Sequence, residues 1–138
     1  PGKIVVSAAT QAINQSFPTR LNYNKSLASL GAAELVDVWA IHYYGEQYER
    51  VVQKNGVEDF LKTIPRPIWV TESGAQGVNN QLAYVEKTWP FLLEHIPSID
   101  RFYYYDYSSL EDPNTAYGLR NASRQFPVSD LYVYLANR

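Results

Sequence analysis

The sequence predicts an α/β fold in which four βα units lay down one parallel sheet with helices outside it. Two observations carry that prediction. Short apolar runs rich in β-branched and aromatic residues alternate along the chain with segments of helical spacing. The runs also stay apolar on both faces, as strands covered from both sides do. Such an order implies right-handed crossovers, and in sheets of this kind ligands gather at the C-terminal ends of the strands.

Taken in order, Lys3-Ile4-Val5-Val6-Ser7-Ala8 reads as a first buried strand, followed by a polar loop over residues 7–22 that Pro18 interrupts. Asn24 or Ser26 then offers a cap for a short helix carrying Leu27, Leu30 and Ala33. The second strand covers residues 36–45 and ends at Gly45; alternation puts Val38, Ala40 and His42 on one face and Trp39 and Ile41 on the other. Helical pieces at 47–54 and 57–62 are parted by Asn55-Gly56. Pro65 and Pro67 admit the third strand, Ile68-Trp69-Val70-Thr71-Glu72-Ser73-Gly74, which delivers a carboxylate just before the chain must turn. Asn79 or Asn80 is placed to cap a helix with Leu82, Val85, Trp89, Leu92 and Leu93 on one stripe, bent or delayed at Pro90. The fourth strand is residues 101–107, a turn follows at Glu111-Asp112-Pro113-Asn114, and a last helix runs over about 129–136.

The totals narrow the function classes. The 138 residues suffice for one domain with a real core, and 46% hydrophobic with 19% charged residues is ordinary globular composition. A net charge of −2 with scattered Lys and Arg gives no footprint for nucleic acid or an anionic membrane. No run approaches the roughly 18 apolar residues of a membrane span. The absence of cysteine removes disulfides, thiolate metal sites and Cys nucleophiles, and the pair His42 and His95 makes a poor basis for a His-rich metal site. The aromatic share of 14%, with 12 Tyr, stands out, because a phenol offers both the apolar face and the hydroxyl that a sugar ring uses.

Glu72 at a strand mouth, with His42, Tyr43 and Tyr44 ending the strand before it and Tyr103, Tyr104 and Tyr105 on the strand after, suits a carboxylate beside a developing positive charge. In retaining glycoside hydrolysis one carboxylate attacks the anomeric carbon, and a second donates a proton and later activates water. Glu72 is the candidate nucleophile; His42 or a tyrosine hydroxyl would hold it ionised and oriented.

These residues also resemble a family. The runs Asp37-Val38-Trp39-Ala40-Ile41-His42-Tyr43-Tyr44-Gly45, Pro67-Ile68-Trp69-Val70-Thr71-Glu72-Ser73-Gly74 and Arg101-Phe102-Tyr103-Tyr104-Tyr105-Asp106, with Tyr117-Gly118-Leu119 behind them, resemble strands six, seven and eight and the closing segment of a clan A glycoside hydrolase. The resemblance implies a (βα)4 half of a TIM barrel, strands five to eight, spanning residues 1–138 as a single C-terminal half-barrel. It implies Glu72 as the nucleophile on strand seven, with His42 and Tyr44 lining the sugar subsite. Tyr104 or Tyr105 stands where the family often has a tryptophan platform, and a run of tyrosines does not fix which one points inward. No metal or organic cofactor is implied.

One departure matters most. The family's acid/base glutamate follows an asparagine at the end of strand four, and this sequence has no Asn-Glu pair. A whole barrel needs about 250 residues, and the chain opens on Pro1, so it reads as an excised half that is inactive by itself. The expected partners are a carbohydrate substrate and either a missing N-terminal half-barrel or a second copy of the chain. The alternatives are a carbohydrate-binding barrel without catalysis and a self-assembling half-barrel module. A polysaccharide substrate would imply secreted or periplasmic residence.

Overall fold

The computed structural model describes residues 2–13, 20–110, 112–120 and 128–138. Along them run β1 (Thr10–Ile13), α1 (Arg20–Ser29), a 3₁₀ turn (Ala32–Glu34), β2 (Trp39–Tyr44), α2 (Tyr48–Val52), α3 (Val57–Leu61), β3 (Ile68–Gly74), α4 (Gln81–His95), β4 (Ile99–Tyr104) and α5 (Asp130–Ala136). The 4-stranded sheet has the order β1-β2-β3-β4, and each neighbouring pair is parallel. The fold is α/β with a parallel sheet and crossover helices, a shape compatible with a partial barrel.

One face of the sheet makes the core. Alternation along β2 turns Trp39, Ile41 and Tyr43 to the side where Ile68 and Val70 of β3 and Ile99 of β4 join them, and Leu61, Leu92 and Ile96 close over this layer. In α4 the buried positions Gln81, Tyr84, Thr88 and Leu92 recur at helical spacing, so one stripe of the helix lies on the sheet. Pro90 neither ends nor delays α4, which runs on to His95. Pro90 has no N–H to give the Glu86 carbonyl, and both residues lie on the exposed side of the helix.

The N-terminal reading needs correction. The apolar residues Ile4, Val5 and Val6 are exposed rather than buried. They join the sheet only through the Val6–Val38 bridge and hydrogen bonds such as Ser7 N–H to the Val38 carbonyl at 3.0 Å. The regular strand is Thr10–Ile13, inside the stretch read as loop. Pairing at a sheet edge is a matter of backbone alignment, and a polar segment satisfies it as well as an apolar one. Pro18 and Glu111 lie outside the described residues.

The caps differ as well. Asn24 sits inside α1, fully buried, and its side chain accepts from the Thr10 hydroxyl and donates to the carbonyls of Gln11 and Arg20 at 3.3 and 3.2 Å. It therefore ties α1 to β1. Ser26 bonds back to the Asn22 carbonyl at 2.9 Å. Asn80 occupies the cap position of α4, but its side chain donates to the Gln76 carbonyl instead of capping. Ser129 does cap α5, accepting the Tyr132 N–H at 2.9 Å.

Candidate active site

Strict alternation from Ile68 and Val70 would turn Glu72 toward the helices. A β-bulge prevents this. Ile41 is paired with Val70 but His42 with Glu72, so Thr71 is an extra residue, and its hydroxyl donates to the Ile41 carbonyl at 3.3 Å. Beyond the bulge Glu72 shares a face with His42, and Ser73 falls on the buried helix side.

The carboxylate is then held on one oxygen. Tyr44 donates its hydroxyl to Glu72 Oε2 at 2.7 Å, and His42 Nδ1 lies 3.3 Å from the same atom. The His42 and Glu72 side chains keep 24% and 36% of their surface, so the site is open to a ligand. Burial first, and then the bond to Glu72, raises the pKa of the Tyr44 phenol, which keeps it a neutral donor.

Aromatic rings surround this pair. Tyr44 meets Tyr117 edge-on at 5.5 Å and Tyr105 at 6.2 Å between centroids, and Tyr105 meets Tyr117 at 5.9 Å. Of the two candidate platforms, Tyr105 therefore stands with Glu72. Tyr104 does not. It lies behind the sheet, donating to the Ala75 carbonyl at 3.4 Å and lining a cavity of about 420 Å³ with Leu82, Trp89 and Leu131 of α4 and α5. The cause is local: Phe102 stacks on Trp89 at 4.8 Å, so the next residue but one, Tyr104, faces the helices and Tyr103 and Tyr105 face away.

Two contributors escaped the sequence reading of the site. Tyr117 belongs to a loop that only the fold brings back to Tyr44. Gln81, fully buried, pins that loop by donating its amide to the carbonyls of Ala116, Tyr117 and Gly118 at 3.3, 3.0 and 3.3 Å. Gly74 is required for the close approach behind the site, because a Cβ there would stand 2.5 Å from the Tyr105 carbonyl oxygen. On the β1 side of His42 a further cavity of about 500 Å³ is lined by Thr10, Gln11, Arg20 and Tyr23.

Among the described residues no group of three or more His, Cys, Asp or Glu is arranged to hold a metal ion. What the geometry offers is a partly exposed carboxylate with the Tyr44 hydroxyl donating to one oxygen and His42 beside it, facing aromatic rings at the C-terminal mouth of a parallel sheet.

The chain belongs to the glycosyl hydrolase catalytic core family, whose model matches residues 4–109, a span that holds all of β1 to β4 and stops short of Tyr117 and α5. It is thus a glycoside hydrolase domain. Neither a curated protein nor a solved structure matches it.

Proposed function

We propose that the chain is the C-terminal half of a retaining (β/α)8 glycoside hydrolase, strands five to eight of the barrel, acting on a β-linked oligo- or polysaccharide. The observation that carries the reading is the bulge at Thr71, which sets Glu72 opposite His42 and under the Tyr44 hydroxyl at 2.7 Å. A carboxylate that accepts a hydrogen bond from a neutral phenol is aimed, as a nucleophile must be.

In this scheme Glu72 attacks the anomeric carbon as the glycosidic bond breaks, and a second carboxylic acid protonates the departing oxygen. The resulting glycosyl ester of Glu72 is then opened by water, whose proton returns to that second group. No Asn-Glu pair exists in the sequence to serve as the second group. It comes from a strand supplied by the N-terminal half of the barrel, and the chain by itself is inactive. Tyr105 and Tyr117 offer the sugar an apolar face, and the cavity beyond His42 gives further units of the substrate room on the β1 side. Tyr104 has no part in binding.

The test is covalent. A fluorinated β-glycoside traps the glycosyl ester, and peptide mapping of the hydrolase containing this chain should find it on Glu72 and find none in Glu72→Gln. Binding of the sugar with neither turnover nor label would favour the carbohydrate-binding alternative, and a label on another residue would refute the assignment.

A further inference from the structure

Behind the site, on the helix side, a chain of buried hydroxyls joins the strands that carry Glu72 and its partners. Trp89 Nε1 lies 3.2 Å from Ser73 Oγ, Ser73 Oγ lies 3.0 Å from Tyr84 Oη, and Tyr84 Oη lies 3.2 Å from the Tyr43 carbonyl oxygen. The ends fix the direction of every proton. An indole N–H only donates and a carbonyl only accepts, so Ser73 accepts from Trp89 and donates to Tyr84, and Tyr84 donates to Tyr43.

The positions joined are telling. Ser73 follows Glu72 in sequence, Tyr43 lies between His42 and Tyr44, and Tyr43 and Ser73 are register partners across β2 and β3. Ser73 is 0% and Tyr84 3% exposed, so no water competes for these bonds. The bulge at Thr71 lies immediately before this point, and pairing resumes beyond it at His42–Glu72, Tyr43–Ser73 and Tyr44–Gly74, so the hydroxyl chain lies behind the middle of these last three pairs. Packing alone would be served by an apolar residue at either place.

We infer that Tyr84 is a positioning residue, whose hydroxyl clamps the ends of β2 and β3 together from behind and so sets the separation of Glu72 from Tyr44 and His42. The inference deepens the reading of Glu72 as a nucleophile and rests on it for its catalytic consequence. It predicts that removing one oxygen atom on the helix side of the sheet, away from the face that carries Glu72, alters the geometry of the carboxylate.

The experiment has an arm that needs no turnover. In the chain itself, the ¹³C shifts of the Glu72 carboxyl and of the Tyr44 ring Cζ are followed by NMR at one neutral pH. Tyr44→Phe and Glu72→Gln give the values for a broken pair. Tyr84→Phe and Ser73→Ala should both move the remaining signals toward those values. Tyr48→Phe is the control, because it removes a hydroxyl bonded to Thr88 at 2.8 Å in the same helix layer without touching the clamp. It should lower thermal stability comparably and leave the signals in place. Signals unmoved in Tyr84→Phe, or moved equally in Tyr48→Phe, would overturn the inference.

The second arm uses the hydrolase containing the chain. Tyr84→Phe should slow formation of the fluoroglycosyl ester by roughly ten- to hundredfold, the cost of a small misplacement of reacting atoms, with KM unchanged. Labelling at the parent rate would also overturn the inference. If the parent forms no ester at all, the glycosidase reading fails, and the NMR arm still decides whether the clamp exists.

Discussion

The two faces of the one sheet use the same residue types for opposite ends. Tyr43 and Tyr44 are neighbours in sequence, yet Tyr43 is 0% exposed in the core while Tyr44 reaches forward to Glu72. Tyr104 and Tyr105 divide in the same way, one against α4 and α5 and the other beside Tyr117. On the helix-covered face Trp39, Ile41, Ile68 and Val70 are all within 1% of complete burial, whereas Tyr103 and Tyr105 on the front keep 42% and 41% of their surface. Aromatic content is thus no sign of a site by itself. The face on which a ring falls decides whether it contributes stability or chemistry.

Substitutions should separate the two faces. The largest effect is expected at Glu72, where Glu72→Gln removes the proposed nucleophile and should lower turnover of the hydrolase containing this chain on the order of 10³-fold or more. Its unfolding free energy should stay within about 0.5 kcal/mol of the parent, since the side chain is partly exposed. Urea unfolding beside a turnover assay checks both. Leu92→Ala should do the reverse: Leu92 is 0% exposed in the core, and its truncation should cost about 2–5 kcal/mol while leaving activity per folded molecule intact. A stable Leu92→Ala, or an unfolded Glu72→Gln, would break the division of labour.

How far the sequence could see follows the same line. β2, β3 and α5 are legible because each combines an unbroken run or stripe with a chemical stop, as Gly45 after β2 and Ser129 before α5 show. Alternation places Trp39 and Ile41 behind and His42 in front, where they stand. The same rule would have turned Glu72 the wrong way, and no residue type announces the bulge at Thr71 that corrects it. Val5 and Thr10 expose the other limit. Apolarity marks a segment that wants cover, but pairing at an edge needs only backbone, so sequence pattern picks out the apolar segment as strand and leaves the polar Thr10–Ile13 to a loop. Gln81 and Tyr117 were out of reach because their contact is closed by the fold across more than thirty residues.

Tyr44 gives a smaller effect than either first test. Tyr44→Phe keeps the ring and its edge contacts with Tyr105 and Tyr117 and removes only the hydroxyl that donates to Glu72. A hydrogen bond to a charged group is worth about 1.5–3 kcal/mol, so turnover should fall roughly ten- to hundredfold. Stability should change little, because the lost donor serves a group that water also reaches. Rate and denaturation measurements on the same preparation separate these outcomes, and a wild-type rate would show that Glu72 needs no phenol.

The smallest effect is expected at Tyr103, and it bears on what covers the front face. Tyr103 touches Trp69 at 5.9 Å between ring centroids, and Arg101 lies over the Trp69 ring at 5.0 Å, a patch open to water on its far side. In the chain alone Tyr103 keeps 42% of its surface exposed and packs on one side only, so Tyr103→Ala should cost about 1 kcal/mol. Inside the closed barrel proposed for the whole hydrolase the same ring would be packed on both sides, where truncating a large aromatic side chain costs about 3–5 kcal/mol. Unfolding midpoints of the chain and of the longer hydrolase, each with and without the substitution, therefore read the cover directly. A small cost in both would mean that nothing packs on this face and would sink the half-barrel proposal. A large cost already in the chain, falling as the protein is diluted, would mean that a second copy provides the cover, since association makes stability depend on concentration.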